Sequence, residues 1–387
     1  MWRSQWLCVA ALLATCESVW SRHAVVHVGP HKTGTTHIQN VLSVAAKDLM
    51  SHGFAWPTTT NTKGEVHGLH AKCWAPLAWY FEGRTATGAS LTGRTPGLID
   101  STDDAFRYFT DFFDAVNSSN VIISAEVFDR VPMEGIHKFH LFMRQFDTVT
   151  IVIVHRDPVD HFVSLYTELH SKGDVAFPDF LFRSMGGFLL DNPVLDVHWL
   201  VQKYATVFGL DNVVIVDYDG VKSAGKDIAE VLLCEVIGVP CNLLQQSTLE
   251  LFNSSQNQKW RSFSFSNQQE YFVAQGLAQY FYIFSRQALN CTLEHNAAYQ
   301  AAKVFLKNNH VPTQCTSLHG LRRLLEPTSA RFMSIFGQNV LYPPRLDTPS
   351  FSIKELCLPD SVALAASVWH APVTAALKER CKSSHHG

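Results

Sequence analysis

The strongest constraint on the fold of this chain is a glycine-containing loop between a short strand and a helix. The segment AVVHVG (24–29) is apolar and rich in β-branched residues, which indicates a strand buried on both faces. The loop PHKTG (30–34) follows it. Apolar residues then recur at helical spacing, at Ile38, Val41, Leu42, Ala45 and Leu49. A strand, a glycine loop and a helix in this order are typical of an α/β fold with a parallel sheet.

The first two thirds of the chain continue this alternation of strands and helices. Further strands are predicted at 120–126, 147–156 and 212–219, with a short extended piece at 54–57. Helices are predicted at 135–146, 158–173, 193–208 and 226–237. This pattern predicts a P-loop-like three-layer α/β/α domain with a central parallel sheet.

Two regions depart from the alternation. Residues 58–103 are rich in Thr and Gly and are expected to be irregular, and a connection of this length is usually functional or mobile. Residues 256–387 are expected to form a helical C-terminal extension, with helices at 267–289, 319–340 and 359–382. Because the chain shows no repeat and no convincing linker, residues 22–387 are predicted to form a single domain.

The composition excludes some classes of protein. The chain has 387 residues, of which 47% are hydrophobic and 17% charged, so it can bury a sizeable core and is not expected to be disordered throughout. The formal net charge is -3 and the pI is about 6.7. Nucleic-acid-binding proteins normally carry a basic excess, so no nucleic-acid partner is expected.

The N-terminus has the pattern of a signal peptide over residues 1–21. Arg3 provides the positive charge, WLCVAALLATC (6–16) is an apolar segment, and small residues follow at 18–21. The apolar run is shorter than the roughly 20 residues that a membrane span needs, so no stable span is expected. An uncleaved anchor and a buried first helix are the alternatives.

Glycosylation sequons and cysteines fit a secretory route. Sequons begin at Asn117, Asn253 and Asn290. Nine cysteines are present, and removal of a signal peptide would leave seven, which allows up to three disulfides and one free thiol. Pairing of sequence neighbours predicts the bonds Cys234–Cys241, Cys291–Cys315 and Cys357–Cys381. No CxxC motif occurs, so a zinc site has no support.

The glycine loop has the spacing of a nucleotide-binding loop but not its lysine. In G-x-x-x-x-G-K-[ST] a lysine follows the second glycine. Gly29 and Gly34 keep this spacing, whereas a threonine follows Gly34 and the lysine stands earlier, as Lys32. The N–H groups from Thr33 to Thr36 would still form an anion cradle at a helix N-terminus.

A second segment, HRDPVDHFVSLY (155–166), carries a further pair of anion-binding groups. Arg156 ends a predicted strand, and Ser164 lies eight positions later, about two turns into the next predicted helix. An arginine and a hydroxyl that converge in this way could hold a phosphate. The alternative is a structural arginine and an ordinary helix serine.

Together the two segments resemble the sulfotransferase family that uses 3′-phosphoadenosine-5′-phosphosulfate (PAPS), in a carbohydrate-type or bacterial-like form. That family has a P-K-[ST]-G-T-T loop followed by an R-x7-S element. The spacing of the second element is intact here, while the loop GPHKTGTT carries one extra residue, His31, between proline and lysine. The resemblance covers roughly residues 24–255 and does not extend into the helical C-terminal third.

The resemblance implies a role for each matching residue. Lys32 would contact the oxygen that bridges phosphate and sulfur and stabilise the leaving phosphate. The residues that would hold the 5′-phosphate are Thr33, Gly34, Thr35 and Thr36, with hydroxyls of the last two adding hydrogen bonds. The 3′-phosphate would be held by Arg156 and Ser164. A metal is not expected, because the leaving phosphate is already stable and catalysis rests on positioning and electrostatics.

The acceptor also needs a catalytic base. The candidates are Glu126, at the end of a predicted strand, and His70 and His67 in the irregular segment. Strand ends line the ligand crevice of open α/β sheets, which favours Glu126. Three nearby charged residues are expected to cap or pair structurally: Asp129, Arg130 and Asp157.

The leading hypothesis is therefore transfer of a sulfuryl group from PAPS to an acceptor hydroxyl or amine, on a glycan in the Golgi or ER lumen or after secretion. One alternative is a P-loop kinase or NTPase. Against this alternative, the chain lacks the lysine that such enzymes have after the second glycine, here Gly34. It also lacks a clear magnesium-binding aspartate, to which Asp157 is the nearest approach. The other alternative is a non-catalytic nucleotide- or glycan-binding protein on the same fold.

Overall fold

The computed structural model describes most of the predicted elements. The described residues are 21–60, 66–68, 72–85, 101–116, 120–169, 180, 197–243, 248–250, 265–291, 293–317, 323, 330–343, 355–364 and 367–383. The predicted signal segment therefore lies almost wholly outside the described residues. The same is true of His70 and of the sequons at Asn117 and Asn253.

The elements of the first half alternate strands with helices. They are β1 (His23–Gly29), α1 (Thr35–Val44), α2 (Ala46–Ser51), β2 (Phe54–Ala55), β3 (Thr58–Thr60), β4 (Val66–Gly68), α3 (Ala75–Glu82), α4 (Thr102–Ala115), β5 (Asn120–Ser124), a 3₁₀ helix (Glu126–Arg130), α5 (Met133–Met143), β6 (Thr148–His155) and α6 (Pro158–Leu169).

The second half begins in the same way and then becomes mostly helical. Its elements are α7 (Val197–Phe208), β7 (Val213–Asp217), α8 (Tyr218–Ser223), α9 (Ile228–Glu230, continued by a π-helical turn, Val231–Val236), α10 (Phe265–Ala288), α11 (His295–Asn308), β8 (Thr313–Ser317), β9 (Val340–Leu341), β10 (Glu355–Pro359), α12 (Ser361–Leu364) and α13 (Ser367–Ser383).

Six strands form one parallel sheet in the order β2-β5-β1-β6-β7-β9. The strand β1 is central, and Val25 pairs with Ile122 of β5 and with Thr150 of β6. The apolar residues of β1 are fully buried, as expected for a strand covered on both faces. The central parallel sheet predicted from the sequence is confirmed.

Helices cover both faces of this sheet. The connection from β1 to β2 runs toward one edge and carries α1 and α2. The connections from β5 to β6 and from β6 to β7 run the other way and carry α5 and α7. Because such crossovers are right-handed, opposite directions place the two sets of helices on opposite faces. The helix α7 packs on β6, β7 and α5, and α3 packs on α4 and α5. The predicted three-layer α/β/α class is therefore confirmed.

The expectation that residues 58–103 are irregular is wrong for much of the part that the structure describes. The strands β3 and β4 form an antiparallel hairpin, and α3 is a helix. Six of the eight residues of α3 are buried, so the helix has no polar face and its sequence shows no amphipathic period. Aromatic residues pack the start of this helix against α4: Trp74, just before α3, stacks on Phe109 at a centroid distance of 4.3 Å.

The C-terminal helices have a hydrophobic cluster of their own. Leu277 and Phe281 of α10, Ala298 of α11 and Leu377 of α13 are among its buried members. Strands that were not predicted occur here as well: β8 and β10 form a two-stranded antiparallel sheet, and β9 extends the main sheet beside β7. The predicted helical extension is confirmed in outline, while a single domain over residues 22–387 stays a prediction.

Three disulfides join the described cysteines. The predicted bond Cys234–Cys241 is present. The other two predicted pairs are wrong, because the bonds are Cys291–Cys381 and Cys315–Cys357. Cys315 and Cys357 are directly opposite each other in the antiparallel pair of β8 and β10. The pairing of these strands, and not closeness in sequence, therefore decides which cysteines bond. One described cysteine, Cys73, is free and buried, as the odd count predicted.

None of the helices within the described residues combines the length and the apolar character needed to cross a membrane.

Candidate active site

The glycine loop connects β1 to α1 and depends on unusual backbone angles. Gly29 has a φ of 105°, and a Cβ atom there would lie 3.1 Å from the Cα atom of Glu126. Gly34 has a φ of 87°, and its Cβ would lie 3.1 Å from the Ile228 side chain. Lys32 also has a positive φ, of 66°, which is uncommon for a residue with a side chain. The two glycines are therefore required by the loop conformation and by close neighbours.

The loop presents an open helix N-terminus. Gly34 is the N-cap of α1, no side chain caps this helix, and its first turn holds no acidic residue. An uncapped helix N-terminus attracts anions through its N–H groups and dipole. The hydroxyls of Thr33 and Thr35 donate to the carbonyl oxygen of Pro30, at 2.6 and 3.2 Å. Their protons therefore hold the loop, so the Thr35 hydroxyl does not point its proton at an anion as the sequence had suggested. The donors that remain for an anion are the backbone N–H groups and the exposed hydroxyl of Thr36.

The two predicted phosphate-binding segments meet in space. The guanidinium of Arg156 donates from Nη1 to the carbonyl oxygen of Lys32 at 2.7 Å. The imidazole of His161 donates from Nε2 to the carbonyl oxygen of His31 at 2.6 Å. In a trans peptide the N–H points opposite to the C=O. The N–H groups of Lys32 and Thr33 share these two peptide planes, so they are turned away from the donors of the second segment.

The protonation state of His161 makes it a dependable donor. The ring is buried at the start of α6, and this burial, with Arg156 close by, lowers its pKa to about 3. The imidazole is therefore neutral at physiological pH, and the hydrogen bond to His31 assigns its single proton to Nε2. His161 thereby holds the loop without adding a charge beside Arg156.

Arg156 retains capacity for an anion. Its Nε atom is buried and has no hydrogen-bond partner among the described residues. The guanidinium carbon lies 5.2 Å from the centre of the Tyr218 ring, which fixes the plane of the group. Ser164 lies half-buried on α6, two turns after Arg156. A buried N–H without a partner is costly until an acceptor reaches it, so the guanidinium of Arg156 is suited to bind an anion.

The strand order explains why both segments face one crevice. From β1 the chain crosses toward β2, and from the adjacent β6 it crosses toward β7. Ligands bind in open α/β sheets at the carboxyl ends of strands where neighbouring connections diverge in this way. The loop of Lys32 follows β1 and Arg156 follows β6, so the fold brings both to that point.

Glu126 lies at the edge of the loop. The predicted strand 120–126 ends at Ser124, and Glu126 begins the 3₁₀ helix instead. Its Oε1 atom is 2.5 Å from Nζ of Lys72 and 3.9 Å from Nε2 of His31. The segment after β5 thus brings a carboxylate to the edge of the glycine loop, where it forms an ion pair with Lys72.

Asp129 anchors the ring of His31. Asp129 is fully buried, and its Oδ2 atom lies 3.0 Å from Nδ1 and 3.4 Å from the backbone N of His31. Lys203 of α7 donates to the backbone oxygens of Asp129 and Val131 and keeps the 3₁₀ helix in place. Burial is the larger influence on Lys203 and lowers its pKa to about 8, against the attraction of Asp129.

Asp157 has the structural role that the sequence predicted. Its Oδ1 atom accepts from the backbone N–H groups of Val159 and Asp160 at 3.0 and 3.1 Å, which caps α6. Its own N–H donates to Asp219 at 3.0 Å. These contacts show that Asp157 caps α6. In the sequence it was also the nearest approach to a magnesium ligand.

A comparison with protein-family models decides the family. Residues 22–285 match the model described as "Sulfotransferase domain". The chain belongs to the sulfotransferase family. The match begins just before β1 and ends inside α10, so it includes the whole glycine loop and the segment of Arg156.

Two further comparisons add little. A crystal structure of a sulfotransferase from Alicyclobacillus acidocaldarius aligns with 61% of this chain and 92% of its own, at 15% sequence identity and a TM-score of 0.38. A search of curated proteins found no match.

Of the residues proposed from the sequence, Lys32, Arg156 and Glu126 lie around the glycine loop of this sulfotransferase, and Ser164 lies on the adjoining helix α6. The two histidine candidates are not placed. His70 lies outside the described residues, and His67 lies on β4 with its side chain outside them as well. The sequence reasoning missed three residues. Lys72 and Lys203 carried no signal, because each contacts the site from a distant element. His161 lies within the quoted second segment, and its position opposite His31 was visible only in the fold.

Proposed function

We propose that this sulfotransferase moves a sulfuryl group from PAPS to a hydroxyl (or amine) group of an acceptor, and that this acceptor is a glycan in the secretory pathway. The observation that carries the proposal is the 2.7 Å hydrogen bond between Arg156 and the carbonyl oxygen of Lys32. This contact joins the two anion-binding segments into one surface, as a donor with phosphates at its 3′ and 5′ positions requires.

The donor would lie along the crevice between β1 and β6. The N–H groups at the start of α1 would hold the 5′-phosphate, and Arg156 with Ser164 would hold the 3′-phosphate. Lys32 would neutralise charge on the oxygen that leaves sulfur. One loop would thus supply both the N–H groups that hold the phosphate and the cation.

The acceptor and the compartment are supported by features away from the crevice. Three disulfides among the described residues favour an oxidising compartment. Asn290 begins a sequon and is exposed at the end of α10, so it is accessible to glycosylation. Because glycans are among the molecules of that compartment, a glycan hydroxyl is the acceptor we propose. The expectations of no metal and of a signal peptide stay predictions.

The test of donor binding is thermal stabilisation by 3′,5′-adenosine bisphosphate. A ligand that binds only the native state adds about 2.7 kcal/mol of stability at a hundred times its Kd. We expect this in the wild type and in Lys32→Ala, and its loss in Arg156→Ala. Arg107→Ala is the matched control, because Arg107 is an exposed arginine of α4. Stabilisation by ATP with magnesium, and not by the bisphosphate, would overturn the proposal.

The test of transfer uses radiolabelled PAPS with a panel of p-nitrophenyl glycosides and a tyrosine peptide. We expect label on at least one glycoside with the wild type. Lys32→Ala should bind the bisphosphate and yet transfer at least about a hundredfold more slowly, because it lacks the charge opposite the leaving oxygen. Label on the peptide alone would contradict the glycan acceptor and leave sulfuryl transfer standing.

A further inference from the structure

His31 is the residue that this loop has in addition to the usual family pattern, and its side chain is unusually well fixed. Its Nδ1 atom lies 3.0 Å from Oδ2 of Asp129, and the same oxygen lies 3.4 Å from its backbone N. Its carbonyl oxygen accepts from His161 at 2.6 Å. The ring and the peptide of His31 are therefore both held, which is more than a solvated loop histidine needs.

The contact with Asp129 sets the tautomer of the ring. An ionised carboxylate only accepts hydrogen bonds, so the partner nitrogen, Nδ1, must carry the proton. The lone pair of the neutral ring then lies on Nε2. A buried carboxylate that fixes the proton of a histidine on one nitrogen prepares the other nitrogen to accept a proton.

The Nε2 atom of His31 faces Glu126 at the edge of the glycine loop. It lies 3.9 Å from Oε1 of Glu126, too far for a hydrogen bond, and the side chain is 16% exposed. Within the described part of the chain this nitrogen has no hydrogen-bond partner. Glu126, in contrast, forms an ion pair with Lys72 at 2.5 Å. Among the described residues the carboxylate of Glu126 is thus paired with a cation, whereas Nε2 of His31 is not hydrogen-bonded.

We propose that His31, oriented by Asp129, is the catalytic residue that takes the proton of the acceptor hydroxyl, and that Glu126 with Lys72 positions that hydroxyl. The inference rests on the proposed function and assigns its proton acceptor. It replaces Glu126 in the role that the sequence favoured. Asp129, His161 and Lys203 are positioning residues, because they act only through His31 or its anchor.

The step balances as follows. The acceptor hydroxyl gives its proton to Nε2 of His31, and the electron pair of its oxygen forms the new bond to sulfur. The bond between sulfur and the phosphate oxygen of PAPS breaks, and its electron pair leaves with 3′,5′-adenosine bisphosphate beside Lys32. The Asp129 carboxylate stabilises the imidazolium that results. His31 then releases its proton to solvent.

Among the described residues, charged and titratable groups lie near this ring on several elements besides the loop of Lys32 itself. The 3₁₀ helix contributes Glu126 and Asp129, α6 contributes His161, α7 contributes Lys203, and the segment before α3 contributes Lys72. Protonation of His31 before the acceptor arrives would remove its lone pair. The rate of transfer should therefore fall on the acidic side of the pH profile.

The experiment measures production of the bisphosphate from PAPS, with the glycosides present, in wild type, His31→Gln, Asp129→Asn, Glu126→Gln and His137→Gln. His137 is an exposed histidine of α5 and serves as the control. We expect His31→Gln to lower kcat by about a hundredfold or more, with the Kd of the bisphosphate changed by less than about threefold. The fall in the transfer rate at acidic pH should disappear in His31→Gln. Glu126→Gln should raise the acceptor KM more than it lowers kcat.

A second readout does not depend on turnover. Nitrogen-15 spectra of labelled histidine, assigned with His31→Gln, should show His31 of the wild type with its proton on Nδ1, and Asp129→Asn should lose this preference. Turnover by His31→Gln within about threefold of wild type, with its acidic limb intact, would overturn the inference and leave the proposed function standing. Bisphosphate binding by the wild type without turnover of either the glycosides or the tyrosine peptide would refute the proposed function, and this inference with it.

Discussion

At the scale of single residues, the site depends on backbone conformations that most side chains avoid. Gly34 is the clearest case, because it caps α1 in the left-handed region and also lies against Ile228 and Tyr218. Lys32 adopts the same region with a side chain attached. Such conformations persist only where the surroundings impose them, and here hydrogen bonds from Arg156 and His161 do so.

Gly34→Ala should separate backbone strain from crowding. The left-handed conformation costs a residue with a Cβ about 1–2 kcal/mol. At Gly34 the new methyl would also lie 3.1 Å from Ile228 and 3.2 Å from the ring of Tyr218, so a larger loss is expected. The matched control is Gly53→Ala, with a φ of 79° and open space around it. Urea unfolding of both variants measures the difference.

The bisphosphate gives a second readout of the same pair. Gly34→Ala should weaken its binding, because the amide cradle shifts, whereas Gly53→Ala should not. Equal losses of stability in the two variants would show that the neighbours of Gly34 yield without cost.

At the scale of elements, secondary structure is predicted best where the apolar residues of a strand or helix recur with one clear period. The strand β1 and the helix α1 follow from AVVHVG and from the spacing of Ile38 to Leu49. The helix α3 was missed because burial on nearly all sides removes the polar face that defines a helical period. The antiparallel pair of β8 and β10 was missed because its two strands are distant in sequence.

The same reasoning applies to the site. The anion cradle and Arg156 belong to local motifs, so the sequence placed them. The ion pair of Lys72 with Glu126 and the contact of Asp129 with His31 join separate elements. Such contacts exist only once the sheet order is fixed, and one sequence does not give that order.

The disulfides should differ in their contribution to stability. In the chain-entropy account, a bond stabilises more when it closes a longer loop. The bond Cys291–Cys381 spans 90 residues and Cys234–Cys241 spans 7. Replacing both cysteines of a pair by serine should cost roughly 5 kcal/mol for the long loop and roughly 2 kcal/mol for the short one. Urea unfolding under non-reducing conditions measures both.

Peptide mapping without reduction supplies the control, since it must find the expected bond missing and the other two intact. If loss of Cys234–Cys241 destabilises more than loss of Cys291–Cys381, the chain-entropy account fails for this protein.

At the scale of the whole molecule, two buried histidines make stability depend on pH. His27 of β1 and His161 of α6 are both desolvated, and this burial lowers their pKa values to about 4 and about 3. In the unfolded chain both would titrate at the ordinary value of 6.5. Below pH 6.5 the unfolded state therefore binds protons that the folded state does not bind, and the free energy of unfolding falls.

The free energy of unfolding should thus be flat with respect to these groups above pH 6.5 and should decline below it. Each histidine contributes a slope of up to about 1.4 kcal/mol per pH unit, until the pH approaches its folded pKa. His161→Gln should reduce the slope by one such contribution, and the exposed control His137→Gln should not change it. Urea unfolding between pH 5 and 8 measures the slopes. A wild-type curve with no decline below pH 6.5 would show that these rings are accessible to protons.

Cys73 has a consequence for how the chain must mature. It is fully buried, and desolvation raises the pKa of its thiol, so a reactive thiolate is scarce once the protein has folded. Its sulfur can exchange with the six paired cysteines only while the segment around Trp74 has not yet packed. The finished molecule is therefore protected from scrambling of its bonds, and two copies of it would not become linked through this thiol.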